Sequence, residues 1–434
     1  MKNFDFTWYN FFRRPVLDQG LIPVSRSEIN QLTDEGQAKL QQFLDDGLQD
    51  SLKHCSLDPY VKETIQLPSV QWKPGHLIGD GDASQPNNPQ HLAAKKYITA
   101  AVQQHTEIKI AVLKNVNVLM PQGIIWSDKK SEIYKETTMH ANLRGSRRFF
   151  ASSLNKWRII KSPFMEEPVK TGESCLFLYS PLYTNIFHFV HDLLWKQWAM
   201  TDLQHVKNYR FSKTYFGPNL PGSLLRQFLS HLDLQQTIDI PWGVYHFKKL
   251  IFPFSNTTYD PFPYAAPRLA FSHRIFNDDF YHWLCRDVSP TPEALAICQQ
   301  DELCLALLRE DASHRNIVNL KAVKSILSAR NYVFLNPSDF SLTDQIFIFS
   351  KARKIVGVHG ASLFNLIWTR VCQHVGEIFC VSHLDQGYRS ICGAKKIDYH
   401  CIFSKAVPGS HPMPGYQDIE VDLDDLSALL EAMH

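Results

Sequence analysis

Lys354-Ile355-Val356-Gly357-Val358-His359-Gly360-Ala361-Ser362-Leu363-Phe364-Asn365 decides how this chain is read. The β-branched run Ile355 to Val358 predicts a buried strand. A histidine and small residues follow, and Leu363 to Trp368 is apolar and long enough for a helix. This spells strand, tight turn, helix, with Gly360 and Ala361 small enough to let the turn approach another group closely. A helix start presents backbone N–H groups and the positive end of the dipole, which suits an anion and most often a phosphate. The plainer alternative is an ordinary turn beside a core histidine.

Outward from that turn, the chain alternates. Leu303–Leu308 and Tyr332–Leu335 read as strands, and Leu320–Arg330 and Thr343–Ala352 as helices. Val375–Phe379 and Ile397–Phe403 read as further strands, and Val421–Met433 as an amphipathic helix. A similar rhythm begins near Ser174. Strands are expected at Cys175–Tyr179, Tyr209–Phe216, Thr237–Ile240 and Phe247–Phe252, with helices at Asn185–Met200 and Pro221–Leu232. Alternation of this kind predicts parallel sheets covered by helices on both faces. In such sheets ligands bind at the carboxyl ends of the strands. Asn256–Pro267 reads as a crossover and Leu269–Gln299 as mostly helical. Before residue 150, a helix is expected within Leu32–Leu52, a loop at Pro68–Pro89, and strands at Ile108–Val118 and Ile124–Ile133. The expected division is an α+β appendage over 1–150 and two doubly wound domains over 151–268 and 269–434.

Composition narrows the function. The 434 residues are 44% hydrophobic, enough for two or three cores. A net charge of +2 argues against nucleic acid as a partner. No apolar run approaches the roughly 20 residues of a membrane span. Met1–Arg14 mixes charges with aromatics and lacks the apolar core of a signal peptide. Nine scattered cysteines with no C-x-x-C pair fit a reducing cytoplasm.

Three groups of residues could carry chemistry. On the Asn185 helix, Asn185, His188 and Asp192 share one face among apolar neighbours. A histidine one turn from a carboxylate can serve as a proton acceptor with its orienter. It can equally be a packing pair, or, with His191, a set of metal ligands. Next, Arg309 at a strand's end and Arg315 one loop later offer two planar forks that suit a diphosphate. Ion pairing with Glu310 and Asp311 is the alternative. Finally, Glu377 lies inside a short strand, where a carboxylate could meet ribose hydroxyls or simply face water as an edge-strand charge.

Taken in order, these motifs resemble one family. Asn-x-x-His-x-x-x-Asp (185–192) is followed by Arg309 with Asp-Ala-x-x-Arg (311–315). Gln345, Ile346, Phe349 and Ser350 come next, then Ile-Val-Gly-x-His-Gly-Ala (355–361) and Val-x-Glu-Ile-Phe (375–379). The pattern is similar to the GT61 glycosyltransferases, the DUF563 domain, over about residues 175–403. That family includes bacterial capsular-polysaccharide enzymes, plant β-1,2-xylosyltransferases and animal O-linked GlcNAc transferases.

The resemblance implies a GT-B fold, with two Rossmann-like domains facing across a cleft. It implies an inverting transferase that moves a sugar from a nucleotide-sugar donor to a glycan or lipid-linked glycan hydroxyl. The acceptor would be a capsule or lipopolysaccharide precursor. Asp192, or His188 oriented by Asp192, would be the base, and Asn185 would touch the acceptor. The donor would meet Arg309, Arg315, His359, Gly360, Ala361, Asn365 and Glu377. The arginines and helix-start amides would do a metal's work, so no metal or other cofactor is expected. The expected location is the cytoplasm, with room for peripheral association with the inner membrane and for capsule-assembly proteins as partners. A non-catalytic nucleotide- or sugar-binding subunit is the rival reading.

Overall fold

A computed structural model of the chain describes residues 50–79, 89–120, 123–127, 129–130, 132–137, 150–153, 156–159, 169–178, 186–202, 209, 213–216, 224–234, 237–239, 243–260, 274–286, 288–310, 314–380, 387–412 and 416–434. The chain is mixed α/β, built on two sheets with helices packed on them.

The strands, in chain order, begin with β1 (Asp50–Cys55), β2 (Val61–Gln66), β3 (Val70–Trp72), β4 (His76–Ile78) and β5 (Val102–Met120). Next come β6 (Ile124–Ser127), β7 (Glu132–Tyr134), β8 (Phe150–Ser153), β9 (Lys156–Ile159) and β10 (Val169–Leu178). Then follow β11 (Lys213–Phe216), β12 (Thr237–Asp239), β13 (Gly243–Asp260), β14 (Leu303–Leu307) and β15 (Val333–Phe334). The last are β16 (Ala352–Val358), β17 (His374–Cys380), β18 (Asp398–Ala406) and β19 (Ile419–Glu420).

The first sheet runs β12-β11-β10-β13-β5-β6-β7-β1-β9-β8, with β2 and β3 also on β5. Its segment β12-β11-β10-β13 is parallel throughout, and the strand order reverses between β10 and β13. The second sheet runs β15-β14-β16-β17-β18, all parallel, with β4 parallel to β18. Here the order reverses between β14 and β16. Ligands of open parallel sheets bind at such switch points, outside the carboxyl ends. Leu307 and Gly357 are register partners, so β14 and β16 end level and release Arg309 and His359 side by side.

Burial explains the second sheet. Every residue of β14 is buried, as a central strand covered on both faces requires. Its alternate side chains feed two cores. Cys304 and Ala306 join Val356, Ile378 and Ile402 beneath the helices Leu320–Ser328 and Leu423–Ala432. Leu303, Leu305 and Leu307 join Ile355, Val375 and Phe379 in a core that continues into the first sheet. Among the described residues, no helix is long and apolar enough to cross a membrane.

Five expectations meet a different structure or fall partly outside the described residues. The 1–150 appendage is not separate: β5 pairs with β13 along its whole length, and β4 extends the second sheet. The boundary at 150/151 cuts β8, and that at 268/269 lies outside the described residues. The Pro68–Pro89 loop contains β3 and β4, whose short length hides any alternation. The helix expected within Leu32–Leu52 lies mostly outside the described residues, and its end belongs to β1. Within 269–299, the described helices are only Asp278–Leu284 and Pro292–Ile297, separated by a stretch containing Pro290.

Residues 70–79 and 89–102 tie the two sheets together as a strap. The Arg389 guanidinium, from the helix Gly387–Lys395, lies 4.8 Å from the Tyr97 ring centroid and 5.6 Å from that of Trp72. It donates to the carbonyls of Ile98 (3.1 Å), Ala100 (2.8 Å) and Lys73 (3.4 Å). Only 2% of Arg389 is exposed, so an apolar replacement would leave buried carbonyls unmet. Arg389→Met is expected to lower stability by about 2 kcal/mol or more, read from urea unfolding. An unchanged midpoint would show that the strap is held by other contacts.

Candidate active site

The first cluster follows β10. The helix over residues 186–201 contains a π-helical stretch, Phe189–Leu194, a rare irregularity often found at functional sites. His188 precedes it and Asp192 lies within it. Their side chains meet with Nδ1 and Oδ2 2.8 Å apart. Arg274 Nε donates to the other carboxylate oxygen at 2.9 Å, and its Nη2 lies 3.1 Å from His188 Nδ1. One ring nitrogen cannot both donate to the carboxylate and accept from the guanidinium with a single proton. We place the proton on Nδ1, directed at Asp192, because the carboxylate is the stronger acceptor. Nε2 is then the basic nitrogen. Side-chain exposure separates the roles: Asp192 is 2% exposed and Arg274 5%, whereas His188 is 18%. Lys196 is buried nearby, and burial pushes its pKa down to about 8 against the pull of Asp192.

His191 is a core residue. Its Nδ1 donates to the Phe187 carbonyl at 2.9 Å, and its Nε2 accepts from the Tyr281 hydroxyl at 3.0 Å. With both nitrogens occupied, the His188–His191–Asp192 ligand set considered from the sequence does not form. Among the described residues, no group of three or more His, Cys, Asp or Glu is arranged to hold a metal ion. Asn185 lies outside the described residues.

The second cluster occupies the carboxyl ends of β14 and β16. Gly360 is extended (φ 168°, ψ 177°), a conformation open to any residue. Its lack of a side chain matters for another reason: a Cβ there would lie 1.7 Å from Arg309 Nη1. The guanidinium rests directly on the glycine. Arg309 and Arg315 both adopt φ 59°, in the left-handed region uncommon for side-chain-bearing residues. After Gly360 comes a 3₁₀ helix, Ala361–Trp368, in place of the expected α-helix.

His359 Nδ1 meets Glu377 Oε1 at 2.5 Å, and the Tyr399 hydroxyl donates to Oε2 at 2.7 Å. Glu377 is 0% exposed. From the sequence it is expected on ribose hydroxyls; the fold instead encloses it between β16 and β18, where it orients His359. Arg315 also differs from its expected role. It is buried, donates through Nη1 to the His359 carbonyl at 3.2 Å, and lies over the Tyr416 ring. Asn365 is turned inward, donating to Ser362 O and accepting from Trp368 Nε1, so it closes its own helix. Ala361 is exposed beside Gly360.

The two clusters share a wall. The Phe187 ring packs edge-on against Tyr388 with centroids 5.6 Å apart. Tyr388 packs 5.3 Å from the His359 ring, and its hydroxyl donates to Gly360 O at 2.6 Å. Arg274 lies over the opposite partner, 5.1 Å from the Phe187 centroid. One aromatic layer therefore separates the His188–Asp192–Arg274 group from the Gly360 turn.

Residues 186–375 match the family model Glycosyltransferase 61. That match covers less than half of the 434-residue chain and is a likeness to glycosyltransferases. It begins at the helix carrying His188 and runs through the Gly360 turn into β17. No curated protein matches the chain.

Sequence reasoning missed Arg274, Tyr388 and Tyr399. Only Arg274 left a signal, as a cation set against Ile275 and Phe276, on a strip expected to be helical. The tyrosines are separated from their partners by other elements, so spacing carries no trace of them.

Burial also makes His191 a source of acid sensitivity. It holds the pKa at about 3, below the ordinary 6.5, so the unfolded chain takes up the proton first. Stability is complete above pH 6.5 and falls as pH drops toward 3. At pH 5 the loss from this group is about 2 kcal/mol. His191→Gln should lack that component when urea midpoints at pH 7 and pH 5 are compared. Equal acid losses in both proteins would contradict the assignment.

Proposed function

We propose that this chain is an inverting glycosyltransferase with a GT-B-like arrangement, in which the first cluster faces the acceptor and the second holds the donor's diphosphate. One observation carries the reading: an oriented histidine and an arginine-bearing switch-point turn stand on either side of a single aromatic layer. The glycosyltransferase family match supports the same reaction class.

In the proposed reaction His188 Nε2 takes the proton of an acceptor hydroxyl. The oxygen attacks the anomeric carbon as the bond to the diphosphate breaks on the opposite face, so the centre inverts. Asp192 is too enclosed to meet the acceptor. It holds the ring tautomer and stabilises the imidazolium that forms, while Arg274 donates to the other carboxylate oxygen. Negative charge gathers on the departing nucleoside diphosphate. Arg309, with the backbone amides after Gly360 and His359 behind them, would meet that charge. Arg315 supports this side by fixing the His359 carbonyl. A capsule or lipopolysaccharide precursor as acceptor, and a cytoplasmic site at the inner-membrane surface, rest on the family resemblance alone.

Replacing His188 with glutamine should cut sugar transfer by about 100-fold or more while nucleoside diphosphate affinity holds. Transfer is followed as nucleoside diphosphate released in the presence of acceptor; near-normal turnover would remove His188 as the base.

Gly360→Ala should weaken nucleoside diphosphate binding as strongly as Arg309→Ala, because the added methyl displaces the guanidinium. Calorimetry decides this, and unchanged affinity in both variants would sink the phosphate assignment.

A further inference from the structure

Beyond the arginines, the carboxyl end of β14 carries a second feature. The segment after β14 and the segment before β19 are zipped together. Asn316 donates through its backbone and its side chain to Asp418 Oδ1, at 2.8 and 3.1 Å. Asn319 accepts from Val421 N at 3.1 Å and donates to its carbonyl at 2.7 Å. Ile317 and Ile419 form a parallel bridge. These ties bring three rings from distant sequence to one place. His314 lies 4.7 Å from Tyr416, His411 lies 5.3 Å from Tyr416, and the two imidazoles are 6.3 Å apart. All three residues are half-buried. Arg315, which holds the His359 carbonyl, covers the Tyr416 ring at 5.1 Å.

We infer that His314, His411 and Tyr416 form the seat for the planar base of the donor nucleotide, near Arg309, which would take its diphosphate. The inference rests on the donor assignment made under Proposed function. Three observations favour a heteroaromatic occupant. The rings keep partial exposure beside a pair of segments tied to each other, so less ordering is left to binding. They gather around Arg315, which covers the Tyr416 ring and donates to the His359 carbonyl next to the Gly360 turn. His314 is also poised to be uncharged: burial, with Arg309 and Arg315 close by, pushes its pKa down to about 4. At neutral pH its imidazole is a neutral stacking surface and leaves the phosphates to Arg309. Stacking between a base and an aromatic side chain tolerates any base. The cluster therefore defines the class of ligand, a nucleoside diphosphate moiety, and not the base.

The test uses the full chain and isothermal calorimetry with UDP, GDP, CDP, ADP and inorganic pyrophosphate. At least one nucleoside diphosphate should bind more tightly than pyrophosphate. His411→Ala and Tyr416→Leu should each weaken that nucleotide about tenfold or more, while pyrophosphate affinity stays within about twofold. Tyr416→Phe should retain the nucleotide, and His411→Ala gives the answer if the Tyr416→Leu protein does not fold. Arg309→Ala should weaken both kinds of ligand. Unchanged nucleotide affinity in the ring variants, or equal losses for nucleotide and pyrophosphate, would overturn the seat and leave the phosphate site standing. Loss of nucleotide in the ring variants with no effect of Arg309→Ala would leave the seat and overturn the phosphate site. If no nucleotide binds better than pyrophosphate, the seat is overturned.

Discussion

Two carboxylates without access to water set the geometry of this molecule. Asp192 is 2% exposed and Glu377 0%. A charge taken so far from solvent costs several kcal/mol unless it is met by partners of good geometry. The fold meets each one with a histidine and a further donor. Asp192 has His188 and Arg274; Glu377 has His359 and Tyr399. A histidine bound this way loses its freedom to rotate, and its proton is held on the nitrogen facing the carboxylate. The same device thus appears once near each strand-order reversal. It delivers a ring of defined tautomer to the carboxyl-end side of both sheets.

The second constraint is proximity. Arg309 can lie on the turn after β16 only because residue 360 has no side chain. Its own backbone, and that of Arg315, sits in a region that costs L-residues roughly 1–2 kcal/mol each. Strain of this kind persists only where the surroundings over-determine it. Here they do. The Leu307–Gly357 register fixes where the chain leaves β14, and the Asn316–Asp418 and Asn319–Val421 bonds fix where it arrives. The arginines take left-handed conformations and so direct two long cations toward one strand end. A flexible loop would offer the same charges at the entropic cost of ordering them each time a ligand arrived.

The second sheet was legible because its strands are buried on both faces. Runs such as Leu303–Leu308 and Ile355–Val358 are apolar without interruption, and their helices start after clear capping residues such as Ser341 and Asp422. The His188–Asp192 pair was legible for a related reason, since two polar groups stand out on an apolar helix. Other features left little trace. The long β5–β13 ribbon depends on pairing across more than a hundred residues, and no local pattern encodes a partner so distant. Glu377 looked like a ligand contact because a lone carboxylate in a strand needs an explanation, and both His359 and Tyr399 come from neighbouring strands. Asn365 and Arg315 carry the same ambiguity. Each is polar at a suggestive place, and each also bonds the fold, Asn365 to Ser362 and Trp368 and Arg315 to the His359 carbonyl.

The strap from β3 to β5 bears on how such a site can work. It contributes β4 to one sheet and β3 to the other, and Arg389 bonds its carbonyls from within the second half. The shared core under both sheets adds a second connection, and the Phe187–Tyr388 contact a third. Swinging one sheet against the other would separate β4 from β18 or pull buried aromatic rings into water. Both are expensive compared with moving a side chain. The distance between the His188 ring and the Gly360 turn is therefore set by packing that exists before any ligand arrives. Pre-set spacing of this kind suits the displacement proposed above, in which nucleophile, anomeric carbon and leaving group must stand in line at the same moment.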